Sequence, residues 1–206
     1  IGIFKTTNAG VANPAWTQLA GGLPAAGAFT RVALGISPSS PQTLFTLMSG
    51  PGNAYVINTF LTTANGGATW TNIPLPGGNI GDQGFYNLSL FVDRSTPNVV
   101  YLSVKSLWKA VRSGSTWTIT EIGAQIHADN HAFAMHPTNP QIVYAGNDGG
   151  IYVSTNGGAS WSDSINKGLC ITQYEFISSH PASDAVVLGG TQDNGTVQFR
   201  NDAVFY

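Results

Sequence analysis

A short box ending in tryptophan recurs along the chain and limits what it can fold into. Thr63-x-Asn65-x-Gly67-x-Thr69-Trp70 and Ser154-x-Asn156-x-Gly158-x-Ser160-Trp161 are near copies. A degraded copy keeps Gly114, Thr116 and Trp117 but has Arg112 at the Asn position, and an N-terminal copy carries an insertion between Gly10 and Trp16. The tryptophans at 16, 70, 117 and 161 are 54, 47 and 44 residues apart. A second marker keeps the same phase: Ser37-Pro38, Asp93 to Pro97, His136-Pro137 and His180-Pro181 each lead into an apolar run. Two independent markers in one phase define a repeat.

Each period reads as four short strands. In the clearest copy, residues 131–135 alternate around Phe133, and a Pro-Thr-Asn-Pro turn leads to a second strand at 142–146. Asn147-Asp148-Gly149-Gly150 is a hairpin turn by composition. Strands at 151–154 and 161–165 flank the box. No segment sustains a helical period. Four antiparallel strands in about 40–45 residues predict an all-β fold built from β-propeller blades. The expected divisions are 1–24 (last two strands of a blade), three complete blades at 25–76, 77–124 and 125–169, and a partial blade of about three strands at 170–206.

The box has a structural explanation. Its Asn side chain bonds backbone N–H groups of its own turn, its Gly tolerates positive φ, and its Trp fills space between blades. Asn65, Gly67, Trp70, Gly114, Trp117, Asn156, Gly158 and Trp161 are therefore expected to be structural.

Composition excludes several classes. Only 9% of the 206 residues are charged and the net charge is −2, which argues against nucleic acid as a partner, because phosphate backbones need clustered Lys and Arg. No apolar run reaches the ~18 residues of a membrane helix. A hydrophobic content of 42% argues against disorder. The single cysteine, Cys170, rules out an internal disulfide framework and reads as a buried structural thiol. The chain opens on Ile1 without a signal-peptide pattern and closes on an apolar run, as expected of a processed or partial chain.

The box resembles the Asp-box, or bacterial neuraminidase repeat, of sialidases, sortilin-type receptors and xyloglucanase-type glycoside hydrolases, with Asn in place of Asp. The chain is also similar to secreted bacterial repeat proteins labelled glycosyl-hydrolase-like, at Gln83 to Leu88, His127 to Ala132, Gly146 to Tyr152 and Gly189 to Thr196. The resemblance implies a segment of a six- to eight-bladed propeller, in an extracellular or cell-surface setting and with no cofactor. Closure of the terminal pieces into a smaller ring is the alternative. A sialidase is disfavoured, since its three-arginine clamp must be drawn from Arg31, Arg94, Arg112 and Arg200 alone, without the usual N-terminal arginine motif.

Several residues are candidates for chemistry. His127, Asp129 and His131 offer a divalent-metal donor set, but on a regular strand they stand about 6.6 Å apart in succession and about 13 Å end to end. One ion would need a loop or bulge there; otherwise the residues are polar groups bonding backbone at the propeller mouth. Asp148 and Asp193 occupy corresponding turns of consecutive blades, and Asp82 is a third carboxylate. They read either as turn caps or as the paired carboxylates of a glycosidase. Tyr86 and Trp108 are candidates for stacking on sugar rings, and Gln192 and Asn194 for polar ligand contacts, alongside His127, Asp129 and His131.

The expected function is a carbohydrate-active propeller, glycan-binding or hydrolase-like, with a polysaccharide partner. The alternative is a non-catalytic scaffold or protein-interaction propeller, whose partner is another protein or further blades. Whether the chain is an enzyme stays open at this point.

Overall fold

Short runs of β-branched and aromatic residues, each ended by Gly, Pro or Asn, dictate brief strands joined by tight turns. The structure is a computed structural model that describes residues 2–52, 55–169, 172–200 and 203–205. Cys170, expected to be a buried thiol, lies outside the described residues.

Two strands, β1 (Phe4–Lys5) and β2 (Thr17–Gln18), pair at the N-terminus. The first full blade contains β3 (Arg31–Ser37), β4 (Ser40–Ser49), β5 (Ile57–Thr63) and β6 (Thr71–Asn72). The second contains β7 (Ser89–Val92), β8 (Val99–Ser103), β9 (Leu107–Ser113) and β10 (Thr116–Glu121). The third contains β11 (Asn130–Met135), β12 (Val143–Asn147) and β13 (Gly150–Ser154). Its fourth position is a single antiparallel bridge, Val153 to Ser162, directly after the box tryptophan. The fourth sheet contains β14 (Tyr174–His180), β15 (Ser183–Thr191), β16 (Thr196–Arg200) and β17 (Ala203–Phe205). Strands pair antiparallel with their sequence neighbours throughout. The C-terminal sheet thus has four strands where the sequence suggested about three: β17 is a three-residue strand that hairpins back onto β16.

The core lies between sheets. Phe45, Leu47 and Phe60 of the first blade meet Leu90, Val100 and Leu102 of the second. Tyr101 and Leu107 of the second meet Phe133, Val143 and Ala145 of the third. Tyr101 and Phe133 stack with ring centroids 4.5 Å apart. Strand β8 is almost wholly buried because a sheet covers each of its faces. β3 and β7 approach closely at Gly35, where a Cβ would collide with Leu90. Ile3 and Leu19, flanking the β1–β2 pair, pack on Met48, Leu61 and Trp70 of the first blade. Among the described residues, no helix is long and apolar enough to cross a membrane.

Candidate functional site

The repeated boxes are engaged in their own turns. In the first, Thr69 N donates to Asn65 Oδ1 at 2.9 Å, and Gly67 N donates to Thr63 Oγ1 at 3.1 Å. Asn65 Nδ2 donates to Thr69 Oγ1 at 2.8 Å. The third blade repeats this: Ser160 N to Asn156 Oδ1 at 2.9 Å, Gly158 N to Ser154 Oγ at 2.8 Å, Asn156 Nδ2 to Ser160 Oγ at 2.8 Å. The amide donates to the hydroxyl here; with a carboxylate in its place the hydroxyl would have to donate instead. Gly67 (φ 92°) and Gly158 (φ 93°) lie against Leu19 and Ile122 of the preceding sheets, leaving no room for a Cβ. Trp161 Nε1 donates to Ile122 O at 2.8 Å. Trp70 is buried. Trp117 sets its ring edge-on to Phe45, 5.6 Å between centroids. Gly114 (φ 60°) forms the β9–β10 turn, where Arg112 Nε bonds its carbonyl.

Lys109 Nζ of the second blade donates to Gly157 O in the third-blade box at 2.8 Å. Tyr101 Oη donates to the same carbonyl at 3.4 Å. Burial pushes the Tyr101 phenol up to about 12, and the nearby Asp93 charge adds to the rise. Burial lowers the Lys109 ammonium from its ordinary value, against the opposing pull of Asp93.

Chemically distinctive groups gather at one end of the sheets. Asp129 precedes β11, Asp148 occupies the β12–β13 turn and Asp193 the β15–β16 turn. An oxygen of each lies within 4.8 Å of the other two. Asp129 and Asp193 both hold φ 58°, a left-handed conformation that Asp adopts more readily than most residues. His131 Nε2 lies 2.9 Å from Asp148 Oδ1. A carboxylate only accepts, so the imidazole donates there. Asn87 Nδ2 donates to Asp129 Oδ1 at 2.9 Å, and Asn194 Nδ2 donates to Asp148 O at 2.8 Å, tying the fourth sheet to the third. The loop before β11 is pinned from behind, with Asp129 N donating to Lys105 O at 2.8 Å. Three carboxylates this close repel: two unit charges about 4 Å apart interact by about 1 kcal/mol in water and about 4 kcal/mol near a protein surface.

Beside the trio runs a cleft of about 720 Å³ between the third and fourth sheets. His131, Asn147, Asp148, Asn166, Gln173 and Asn194 supply its polar lining. A row of rings leads up to it. Tyr55 and Phe85 have centroids 5.2 Å apart, Phe85 and Tyr86 6.2 Å, Tyr86 and His131 4.9 Å. Phe85 is 55% and Tyr86 49% exposed. Arg31 Nη1 secures their loop by donating to the carbonyls of Phe85 and Tyr86.

The sequence candidates separate accordingly. Asp129, His131, Asp148, Asp193, Asn194 and Tyr86 come together. His127 does not join them: its ring packs on Gly149 and its Nδ1 lies 3.2 Å from Ala128 O. The set His127, Asp129 and His131 is therefore not gathered around one point; only Asp129 belongs to the carboxylate trio, and His131 reaches it through Asp148. Asp82 forms a half-exposed ion pair with Lys105 at 3.9 Å instead. Trp108 packs on the core between the first two blades and borders a separate cleft with Ile80, Ala124 and Ile126. Gln192 contributes backbone, accepting from Asn194 Nδ2 at 3.0 Å. Sequence reasoning missed Asn87, Asn147, Tyr55 and Phe85. The Gln83 to Leu88 segment was a visible signal for two of them.

No known protein-family pattern matches the chain, and no curated protein sequence matches it. Solved structures do. The chain is similar to an ancestral GH74 enzyme at 16% identity and a TM-score of 0.55, over 98% of this chain and 25% of that one. The GH74 enzyme of Niastella koreensis gives 16% identity and a TM-score of 0.47, over 84% of this chain and 23% of that one. YCF48 from Cyanidioschyzon merolae gives 14% and 0.45, over 87% and 56%. The first likeness establishes the fold, a β-propeller of antiparallel blades. The chain spans about a quarter of the length of the GH74 structures it matches.

Proposed function

We propose that the chain is a carbohydrate-active propeller that holds a glycan along the ring row and the cleft beside it. The observation that carries this reading is the exposed row Phe85–Tyr86 running into a cleft lined by amides and the His131–Asp148 pair. Sugars present apolar C–H faces between rings of hydroxyls. Exposed aromatics cover the first, and neutral amides with one or two carboxylates bond the second. The cleft volume lies within the range of about 300–1,000 Å³ usual for ligand sites. A fold shared with a GH74 enzyme supports a glycan ligand, although one fold hosts many functions. An extracellular setting is part of this reading and is supported by the low charge and the Asp-box resemblance.

Oxygens within 4.8 Å leave too little room for the water that inverting glycosidases hold between carboxyls about 6.5–9.5 Å apart, so any hydrolysis at this trio would follow the retaining course, whose carboxyls stand about 5–5.5 Å apart. A second reading, a protein-binding scaffold, draws on β14, where Phe176 is 79% and Ile177 67% exposed.

Affinity electrophoresis through soluble β-glucans and other plant polysaccharides tests the glycan reading. Retarded migration in at least one gel, weakened by Tyr86→Ala, is expected. Unretarded migration in every gel overturns it.

A further inference from the structure

We propose that Asp129, Asp148 and Asp193 bind a divalent cation of the calcium class, with the buried Asn87 amide completing the oxygen set. The inference needs no sugar and stands apart from the glycan reading.

The trio draws on two sheets. Asp129 and Asp148 belong to the third, Asp193 to the fourth. Its charge is left largely uncompensated. His131 is bonded to Asp148, and the Lys105 ammonium pairs with Asp82 instead. No other salt bridge to these carboxylates occurs among the described residues. Carboxylate oxygens within 4.8 Å of one another fit the calcium shell, whose oxygens at about 2.3–2.6 Å from the ion lie up to about 5 Å apart.

The second observation is independent of the acidic cluster. Asn87 is only 3% exposed. Its Nδ2 reaches Asp129 Oδ1 at 2.9 Å, while its Oδ1 is buried with no partner. Rotating the amide by half a turn would set its carbonyl against the carboxylate, so Asp129 dictates the orientation. Buried polar atoms are rarely left unpartnered, and each one calls for an explanation. A cation beside Asp129 supplies it, satisfying the orphaned carbonyl and cancelling the carboxylate repulsion together.

The donor chemistry selects the ion. Three carboxylates and an amide carbonyl are hard oxygen ligands, which suit calcium or magnesium over zinc or copper. They stand on separate loops rather than one rigid frame. Calcium tolerates such irregular geometry, whereas magnesium demands a near-ideal octahedron. His131 then acts as a positioning residue, holding Asp148 through its Nε2 to Oδ1 bond as outer partners of metal ligands do.

The test is terbium luminescence on the full chain after chelator treatment. Terbium replaces calcium and is excited through nearby tyrosine, here Tyr86, whose ring contacts His131. Saturable emission that calcium displaces is expected, with calcium Kd at or below about 10⁻³ M, the weak end for extracellular sites. Asp148→Asn and Asp193→Asn keep shape and should each weaken calcium by roughly tenfold or more. Asp82→Asn should leave it unchanged. Circular dichroism verifies that each variant is folded. Calcium should also raise the Tm of the wild type and not of the folded trio variants. Absence of saturable binding, retention of binding in both trio variants, or displacement by magnesium in preference to calcium overturns the proposal.

Discussion

Lys109 Nζ donates to the Gly157 carbonyl at 2.8 Å across the seam between the second and third blades. Lys5 Nζ makes the corresponding bond to Gly66, at 2.9 Å, across the seam between the N-terminal strand pair and the first blade. In both places a lysine from the third strand position of one blade ties down the box turn of the next. The box carbonyl faces away from its own turn's donors, so a long cationic side chain from next door satisfies it. A hydrogen bond to a charged group contributes about 1.5–3 kcal/mol. Desolvation of the Lys109 ammonium, visible in its lowered pKa, offsets part of that. Lys109→Met keeps the stem and loses the donor, and we expect a loss of about 1 kcal/mol in urea unfolding. An unchanged midpoint would show that Tyr101 alone suffices for the carbonyl.

Tyr101 shares that carbonyl and sets an alkaline limit. Its phenol is raised to about 12 by burial, then by Asp93. A raised folded value means that the fold favours the neutral phenol. The stabilisation is complete below the unfolded value of about 10 and is lost as pH rises from there towards 12. Two units correspond to about 2.7 kcal/mol. Lys109 runs the other way: its lowered value penalises folding while the amine is charged, and that penalty lifts as pH rises towards the unfolded value. The expected result is a stability fall between pH 10 and 12, reduced in Tyr101→Phe. Denaturant melts across that range measure it, and equal slopes for both proteins would refute the assignment.

Asn156 tests why the box carries an amide. Asn156→Ala removes the acceptor for Ser160 N and the bond to the Ser160 hydroxyl together. A loss of about 2 kcal/mol is expected, one or two net hydrogen bonds plus an unsatisfied turn amide. Asn156→Asp keeps the acceptor, and the Ser160 hydroxyl turns to donate, so a loss under about 1 kcal/mol is expected. Thermal melts rank the two, and an Asp variant as damaged as the Ala variant would disprove this account.

These magnitudes also explain what could be read without coordinates. Boxes and proline turns repeat in register because each blade solves one local problem, and local chemistry is written locally. The closing apolar run was visible, but three residues at 203–205 are too few for periodicity to show that they pair with β16 as a fourth strand. The site was only half legible. Asp129, Asp148 and Asp193 lie 64 residues apart at the extremes, and their convergence depends on how turns of adjacent sheets face each other. Asp82 and Trp108 looked equally suitable in sequence, yet Lys105 engages one and the core engages the other. The Gln83 to Leu88 segment drew attention to the neighbourhood of Asn87, but burial of its amide leaves no trace in the residue order.

Asn194 links the fourth sheet to the third through Asp148 O at 2.8 Å. Strand β14 buries little of its surface, so this bond and the cleft contacts carry much of the docking. Asn194→Ala should leave the midpoint of global unfolding within about 0.5 kcal/mol, as for most exposed positions, while speeding proteolysis of the fourth sheet, since local opening follows local contact density. Cleavage no faster than in the wild type would show that apolar contacts, led by Val197, hold the sheet unaided.

Tyr86 separates binding from folding. Its ring is half exposed and touches Phe85 and His131, and its backbone carbonyl is held by Arg31. Truncation to Ala therefore leaves the loop's backbone anchors in place, so the Tm should move by only about a degree or two. Glycan affinity should fall by roughly tenfold, the equivalent of about 1.4 kcal/mol. Phe85→Ala, one ring further from the cleft, should weaken long chains more than short ones, because only an extended ligand reaches both rings. Isothermal titration with oligosaccharides of increasing length distinguishes this from general surface stickiness. If length makes no difference to the Phe85 variant, the row is not a continuous platform, and the glycan contacts lie within the His131–Asp148 cleft alone.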